Sequence, residues 1–168
     1  YDLLSAKEII LWSILSVFAG SWTIYVSEYV CSDEELNENE IFEILNSLTE
    51  KSIVNYDAEN ERYRILETLR QYGENILEQS AEKEIIFRKH IKYYSGLAEA
   101  SEPELRGADI KKWVEILESE NENFEKALSR SRNTSAAWSF ATWPEGWLRS
   151  RVNQLTTRCR CSEPDSIS

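Results

Sequence analysis

The chain has no methionine, one histidine, three prolines and three cysteines in 168 residues. Each shortage excludes something. Three cysteines are an odd number and too few for a disulfide framework. Cys159 and Cys161 form a C-x-C pair, but no second pair or histidine cluster completes a zinc site, so no metal is expected. Free thiols in a reducing cytoplasm fit this usage. No apolar run approaches the roughly 18 residues of a membrane span. The richest stretch, Ile9 to Tyr29, is broken by Ser13, Ser16, Gly20, Ser21 and Thr23. Tyr1-Asp2-Leu3-Leu4 lacks the basic start of a signal peptide. With no initiator methionine, the chain reads as a piece of something longer. No G-x-x-x-x-G-K-[ST] loop occurs, so nothing in the sequence cradles phosphates and no cofactor is expected. The single histidine, His90, has no partnered Ser or Cys to activate, and no catalytic residue is assigned.

A surplus of positive charge is also lacking. The net charge is −11, which repels phosphate backbones. The distribution is uneven. Arg130 to Ser168 carries six arginines against three acids, whereas the first 129 residues carry 13 basic groups against 27 acids. Asp33 to Glu50 holds seven acids and no Lys or Arg.

What is present is helical periodicity, interrupted once. Ser5-Ala6-Lys7-Glu8 has the form of a capping box, and Ile10, Ile14, Leu15 and Phe18 follow at helical spacing. Gly20 stops that helix, and Thr23 can cap a second one reaching Tyr29 or Val30. Ile41, Ile44, Leu45 and Leu48 mark a third. Ser52 to Tyr56 and Arg62 to Leu66 read as two strands around the polar turn Asp57 to Glu61, a β-hairpin. The stretch YRILETLRQYGENIL then passes from strand to helix with no loop. Glu67 and Thr68 suit the positive start of a helix over Glu67 to Leu77. Three helices followed by a hairpin is the order of a winged helix.

Beyond Ser80, Ile86, His90, Tyr93, Tyr94 and Leu97 lie on one face of a helix that Pro103 and Gly107 should break. Asp109 can cap the next helix, with Trp113, Ile116 and Leu117 inward. Glu120 to Asn123 reads as a turn, and Glu118, Glu120, Glu122 and Glu125 as a solvated face. Trp113 reads as an anchor between helices, and His90 as a packed or hydrogen-bonding interhelical residue. Periodicity fades after Asn133, where Trp138, Trp143 and Trp147 crowd beside Pro144 and Gly146. The expected organisation is a winged-helix domain over 1–79, paired helices over 80–132 and a tail over 133–168. That tail is read as disordered, or as the product of a shifted reading frame.

The stretches LSVFAGSWT, LNSLTEKSIV, YRILETLRQYGENILEQS, HIKYYSGLAEASEPELRG and WVEILESENENFEKAL, in this order, resemble the region after the nucleotide-binding core of bacterial STAND-type (NB-ARC-like) signalling ATPases. The resemblance spans about Leu3 to Leu128. It implies a winged helix leading into tetratricopeptide-like helical hairpins, with the winged helix docked on an ATPase core that is absent here. It also implies protein effectors bound by the repeats. Related proteins carry a Met-His-Asp motif at the end of the wing, whose His approaches a phosphate. On that pattern Ile65 stands at the Met, Leu66 at the His and Glu67 at the Asp. Leu66 can neither donate a hydrogen bond nor carry charge, so phosphate sensing is not expected of it.

Ile65, Leu66, Glu67 and Arg70 are therefore the candidate contacts to the ATPase core. The expectation is a mainly α, cytoplasmic, non-catalytic regulatory fragment whose partners are that core and a protein effector. DNA and membrane are not expected partners of this segment. The competing readings are a DNA-binding winged-helix transcription regulator and an enzyme without a recognisable constellation.

Overall fold

A computed structural model describes residues 4–33 and 36–133. The tail from 134 onward, with its tryptophan cluster and the Cys159–Cys161 pair, lies outside the described residues. The described chain is mainly helical. Its order is α1 (Ala6–Leu15), α2 (Ile24–Cys31), α3 (Glu38–Glu50), β1 (Val54–Asp57), β2 (Arg62–Ile65), α4 (Glu67–Glu78), α5 (Lys83–Glu104), α6 (Ile110–Ser119) and α7 (Asn121–Asn133). The first five elements form the expected winged helix, and α5 to α7 the helical region.

Local sequence explains most of the boundaries. Ser5 caps α1, with its Oγ accepting from Glu8 N while the Glu8 carboxylate accepts from Ser5 N. Asn37 and Glu40 repeat the same reciprocal box at the start of α3. Each box satisfies donors that a helix start leaves without partners. Glu8 also reaches across to α3, accepting from Ser47 Oγ and Lys51 Nζ. The hairpin is antiparallel with Val54 opposite Ile65 and Asp57 opposite Arg62. Asp57 Oδ1 accepts from the amides of Glu59 and Asn60, and Glu61 closes the turn at φ 53°.

One boundary falls where the sequence reading put it but is held differently, and another differs. The junction after β2 is a single residue, Leu66, and α4 starts there without a side-chain cap. Glu67 does not cap the helix. Its carboxylate turns to Arg70 and Gln71, because two charge-assisted hydrogen bonds from a guanidinium outcompete a backbone amide. Pro103 does not break α5 ahead of itself but sits in its last turn, where only one backbone bond is lost before the helix ends at Glu104.

The core is continuous from α1 to α7. Leu11, Leu15, Phe18, Trp22, Ile41, Leu45 and Leu48 fill the winged helix, and Ile86, Ile91, Tyr94, Leu117 and Phe124 join the same cluster. Gly73 lets α4 lie close on α1: a Cβ there would come within 3.0 Å of Ser16 Cβ and 3.3 Å of the Trp12 carbonyl oxygen. Helix α5 covers α2, and α7 lies along α5. Among the helices described, none is long and apolar enough to cross a membrane.

The bonds from Lys51, Ser47 and Ser5 hold the Glu8 carboxyl down at about 2, below its ordinary 4.5. A depressed folded value adds stability above about 4.5 that is lost as pH falls towards 2. Glu8→Gln should therefore destabilise the protein near neutral pH by about 1–3 kcal/mol. The difference should shrink in urea melts taken between pH 4.5 and 2.5.

Candidate functional site

The segment joining α1 to α2, residues 16–22, is held from three sides by parts of the chain far from it in sequence. On one side it forms a two-hydrogen-bond bridge with the wing: Trp22 N donates to Tyr63 O at 2.9 Å and Tyr63 N to Trp22 O at 2.8 Å. On the opposite side stands Asn123 of α7, fully buried. Its Oδ1 accepts from the amides of Ala19 and Gly20 at 3.0 and 3.1 Å, and its Nδ2 donates to the Ser21 carbonyl at 2.8 Å. A residue read as part of a turn thus makes three hydrogen bonds to the backbone of this connection.

Arg62 completes this grip from β2. Its Nε donates to Ser21 Oγ and its Nη2 to Ser21 O, both at 2.7 Å. Nη2 also meets Glu120 Oε1 at 2.6 Å. The second oxygen of Glu120 accepts from Tyr94 Oη and from Asn123 Nδ2, both at 2.9 Å. Glu120 is only 4% exposed, so it is not part of a solvated face as its acidic neighbourhood predicted. It sits in the one-residue joint between α6 and α7, and burial selects it because Arg62, Tyr94 and Asn123 offer it donors.

A second grip closes on the last turn of α1. Arg130 of α7 donates from Nη1 to Val17 O at 2.6 Å, and Arg70 of α4 from Nη1 to Ser16 O at 3.5 Å. Cations belong at a helix C-terminus, where carbonyls lack partners. Glu74 lies between them. Its Oε2 meets Arg70 Nη1 at 2.7 Å, and its Oε1 meets Arg130 Nη2 and Lys126 Nζ at 2.8 Å each. Arg130 also stacks over Phe87, 4.5 Å from the ring centre. Burial pulls the Arg130 guanidinium down to about 10, against the opposing pull of Glu74, and it remains charged at neutral pH. Burial pushes the Glu74 carboxyl up, but Lys126, Arg130 and Arg70 outweigh it and the net shift is downward.

The four candidate contact residues divide in two. Ile65 is 4% exposed and pairs with Val54 inside the hairpin. Arg70 is 9% exposed and spends its donors on Glu67, Glu74 and Ser16 within the chain. Leu66, at 55% exposed, and Glu67 face outward. Arg70 and Glu67 hold one another, and the same bonds bring the Glu67 carboxyl to about 2, so it is ionised throughout the neutral range.

Glu67 and Lys126 line an open depression on the surface with Ala19, Arg64, Glu122, Glu125 and Ser129. The carboxylates of Glu67 and Glu74 are ion-paired, and His90 is sealed in the core. Among the described residues no three His, Cys, Asp or Glu side chains gather as metal ligands. The constellation is a latch between the winged helix and the helices that follow it.

The surface a winged helix would turn to DNA has its own character. α3 presents Glu38, Asn39, Phe42, Glu43, Asn46 and Glu50 to solvent, with Ile41, Leu45 and Leu48 buried behind them. Lys51 and Lys7, its basic neighbours, are paired with Glu8 and Glu40.

The fold and latch define a winged helix fused to a helical extension as one packed unit. Three mycobacterial proteins, one from Mycobacterium bovis and two from strains of Mycobacterium tuberculosis, are similar to this chain and are named as candidate HTH-type transcriptional regulators. Each is 33% identical over 134 residues, which is 79% of this chain. The chain spans only 15% of the length of these relatives. No protein-family model and no solved structure matches it. Nothing in this likeness bears on an ATPase core.

Two substitutions separate packing from surface. Ile65→Ala should lower stability by about 2–4 kcal/mol by opening a core cavity, and Leu66→Ser by less than about 0.5 kcal/mol, in denaturant unfolding. Glu74→Ala should cost about 3 kcal/mol because it takes the paired carboxylate from the buried Arg130 guanidinium, whereas Arg70 keeps Glu67. Glu102→Ala, which removes an exposed pair with Arg106, should be near neutral.

Proposed function

We propose that the chain is a non-catalytic regulatory segment of a larger transcriptional regulator, in which the winged helix docks on protein rather than reading DNA. The observation that carries this is the outward face of α3, which bears three carboxylates and Phe42 and has no Lys or Arg anywhere along the helix. A helix laid in a major groove runs between two phosphate rows, and its affinity comes largely from cations that neutralise them. This face would add repulsion instead.

Within that reading, the exposed Leu66 and Glu67 at the end of the wing are the docking residues. Ile65 and Arg70 set their position from below. The resemblance to STAND-type ATPases supplies the partner: an ATPase core elsewhere in the parent protein, in the cytoplasm. The latch supports a relay role. With α7 hydrogen-bonded to the α1–α2 connection and α4 ion-paired to α7, a displacement of the winged helix is carried to the helical region as a rigid-body movement. The helices that follow would present that movement to an effector.

The second reading, a DNA-reading winged helix, is favoured by the names of the mycobacterial relatives. Fluorescence anisotropy with random and promoter-derived duplexes at 50 and 200 mM salt separates the two. Docking on protein predicts no sequence preference and binding no tighter than about 10⁻⁵ M. Sequence-selective binding below micromolar, falling steeply with salt, would establish the DNA reading and end the docking one.

A further inference from the structure

His90 is a titratable group in the core that neither grip of the latch uses. It is fully buried in α5, and neither ring nitrogen has a hydrogen-bond partner among the described residues. The ring is wedged between Phe18, in the α1–α2 connection of the winged helix, and Tyr94, with centroids 5.5 and 4.8 Å away. It therefore lies on the seam where α5 meets the winged helix.

The groups around this seam leave no acceptor for an imidazolium. From α7 come Arg130 and Lys126, whose positive charges act on the ring. The carboxylate nearest to them, Glu74 of α4, is already ion-paired with both. On α5 itself, the Tyr94 hydroxyl donates to Glu120, at the joint before α7. α2 brings Cys31, a buried thiol kept neutral, and Tyr29, which packs against Tyr93. A proton on His90 would be a buried charge with two cations beside it and no partner.

We propose that His90 makes the seam between the winged helix and α5 acid-labile, so that protonation releases α5 and α7 from the winged helix before the three-helix core unfolds. Burial first, then the charges of Arg130 and Lys126, hold the imidazole neutral well below its ordinary 6.5 while the seam is closed. In the open form it binds a proton near 6.5, so acidification draws the equilibrium towards opening. The sign is fixed. Stability of the seam is complete above about 6.5 and declines as pH falls, up to tenfold in the opening constant per pH unit. Opening is sub-global because what it breaks besides apolar contact is polar: the Arg62–Glu120 pair and the bonds of Asn123 and Arg130 to the α1–α2 connection can be replaced by water.

The whole 168-residue chain, with its single histidine, gives a clean test. Hydrogen exchange, corrected for intrinsic rates, is measured at pH 7.5, 6.5 and 5.5. The expected result is a fall of up to tenfold in the protection of Ile86 to Tyr94 and of Phe124 to Arg130 between pH 6.5 and 5.5, with Ile41 to Leu48 unchanged. His90→Phe should abolish the fall. Equal loss in all three segments, or an undiminished fall in the variant, would overturn the proposal. A second readout needs no variant. The Cε1 proton of His90 in the folded protein should not titrate between pH 8 and 6, and a sigmoid centred near 6.5 without loss of α5 protection would equally overturn it.

Discussion

The tertiary structure depends on one short stretch of backbone that cannot satisfy itself. Between the end of α1 and the start of α2 the chain leaves helical geometry while still inside the protein, and its carbonyls and amides at residues 16–22 need partners that local structure does not provide. They come from β2, α4 and α7. Arg62, Arg70, Asn123 and Arg130 each place a polar atom on this segment, and Glu74 and Glu120 hold those atoms in position. Buried backbone without partners is costly, so the helices after the wing are integral to the fold. This is why the core runs without a break from Leu11 to Phe124.

The arrangement has a consequence for what the protein can do. Buried charges are favourable here only as members of complete networks. The groups that would ordinarily suggest chemistry, Glu67, Glu74, Arg70 and His90, are spent on structure or sealed from solvent. The exposed surface carries other groups. That surface is acidic over α3, and at the end of the wing it exposes Leu66 beside an ionised Glu67.

Much of the winged helix was legible because its signals are local. The two capping boxes at Ser5 and Asn37, the apolar spacing of Ile41, Leu45 and Leu48, and the polar turn between two short strands each need only a few neighbouring residues to read. The loopless passage from β2 to α4 could be read in the same way. Less of the latch was legible. Arg70 and Glu120 look like surface residues in any window of their own sequence, since each sits among other charged side chains. Asn123 looks like a turn residue. What places all three inside is the position of partners 54, 58 and more than 100 residues away.

The sequence by itself therefore determined the elements, their order and the acidic character of the outward face of α3, because periodicity, capping and net charge are properties of neighbouring residues. Only the tertiary structure decided which charged side chains are buried, that α5 to α7 share the winged helix's core, and that Ile65 and Arg70 point inward while Leu66 and Glu67 point out. A buried charge is stable or ruinous according to the partner it finds, and that partner is chosen by packing in three dimensions.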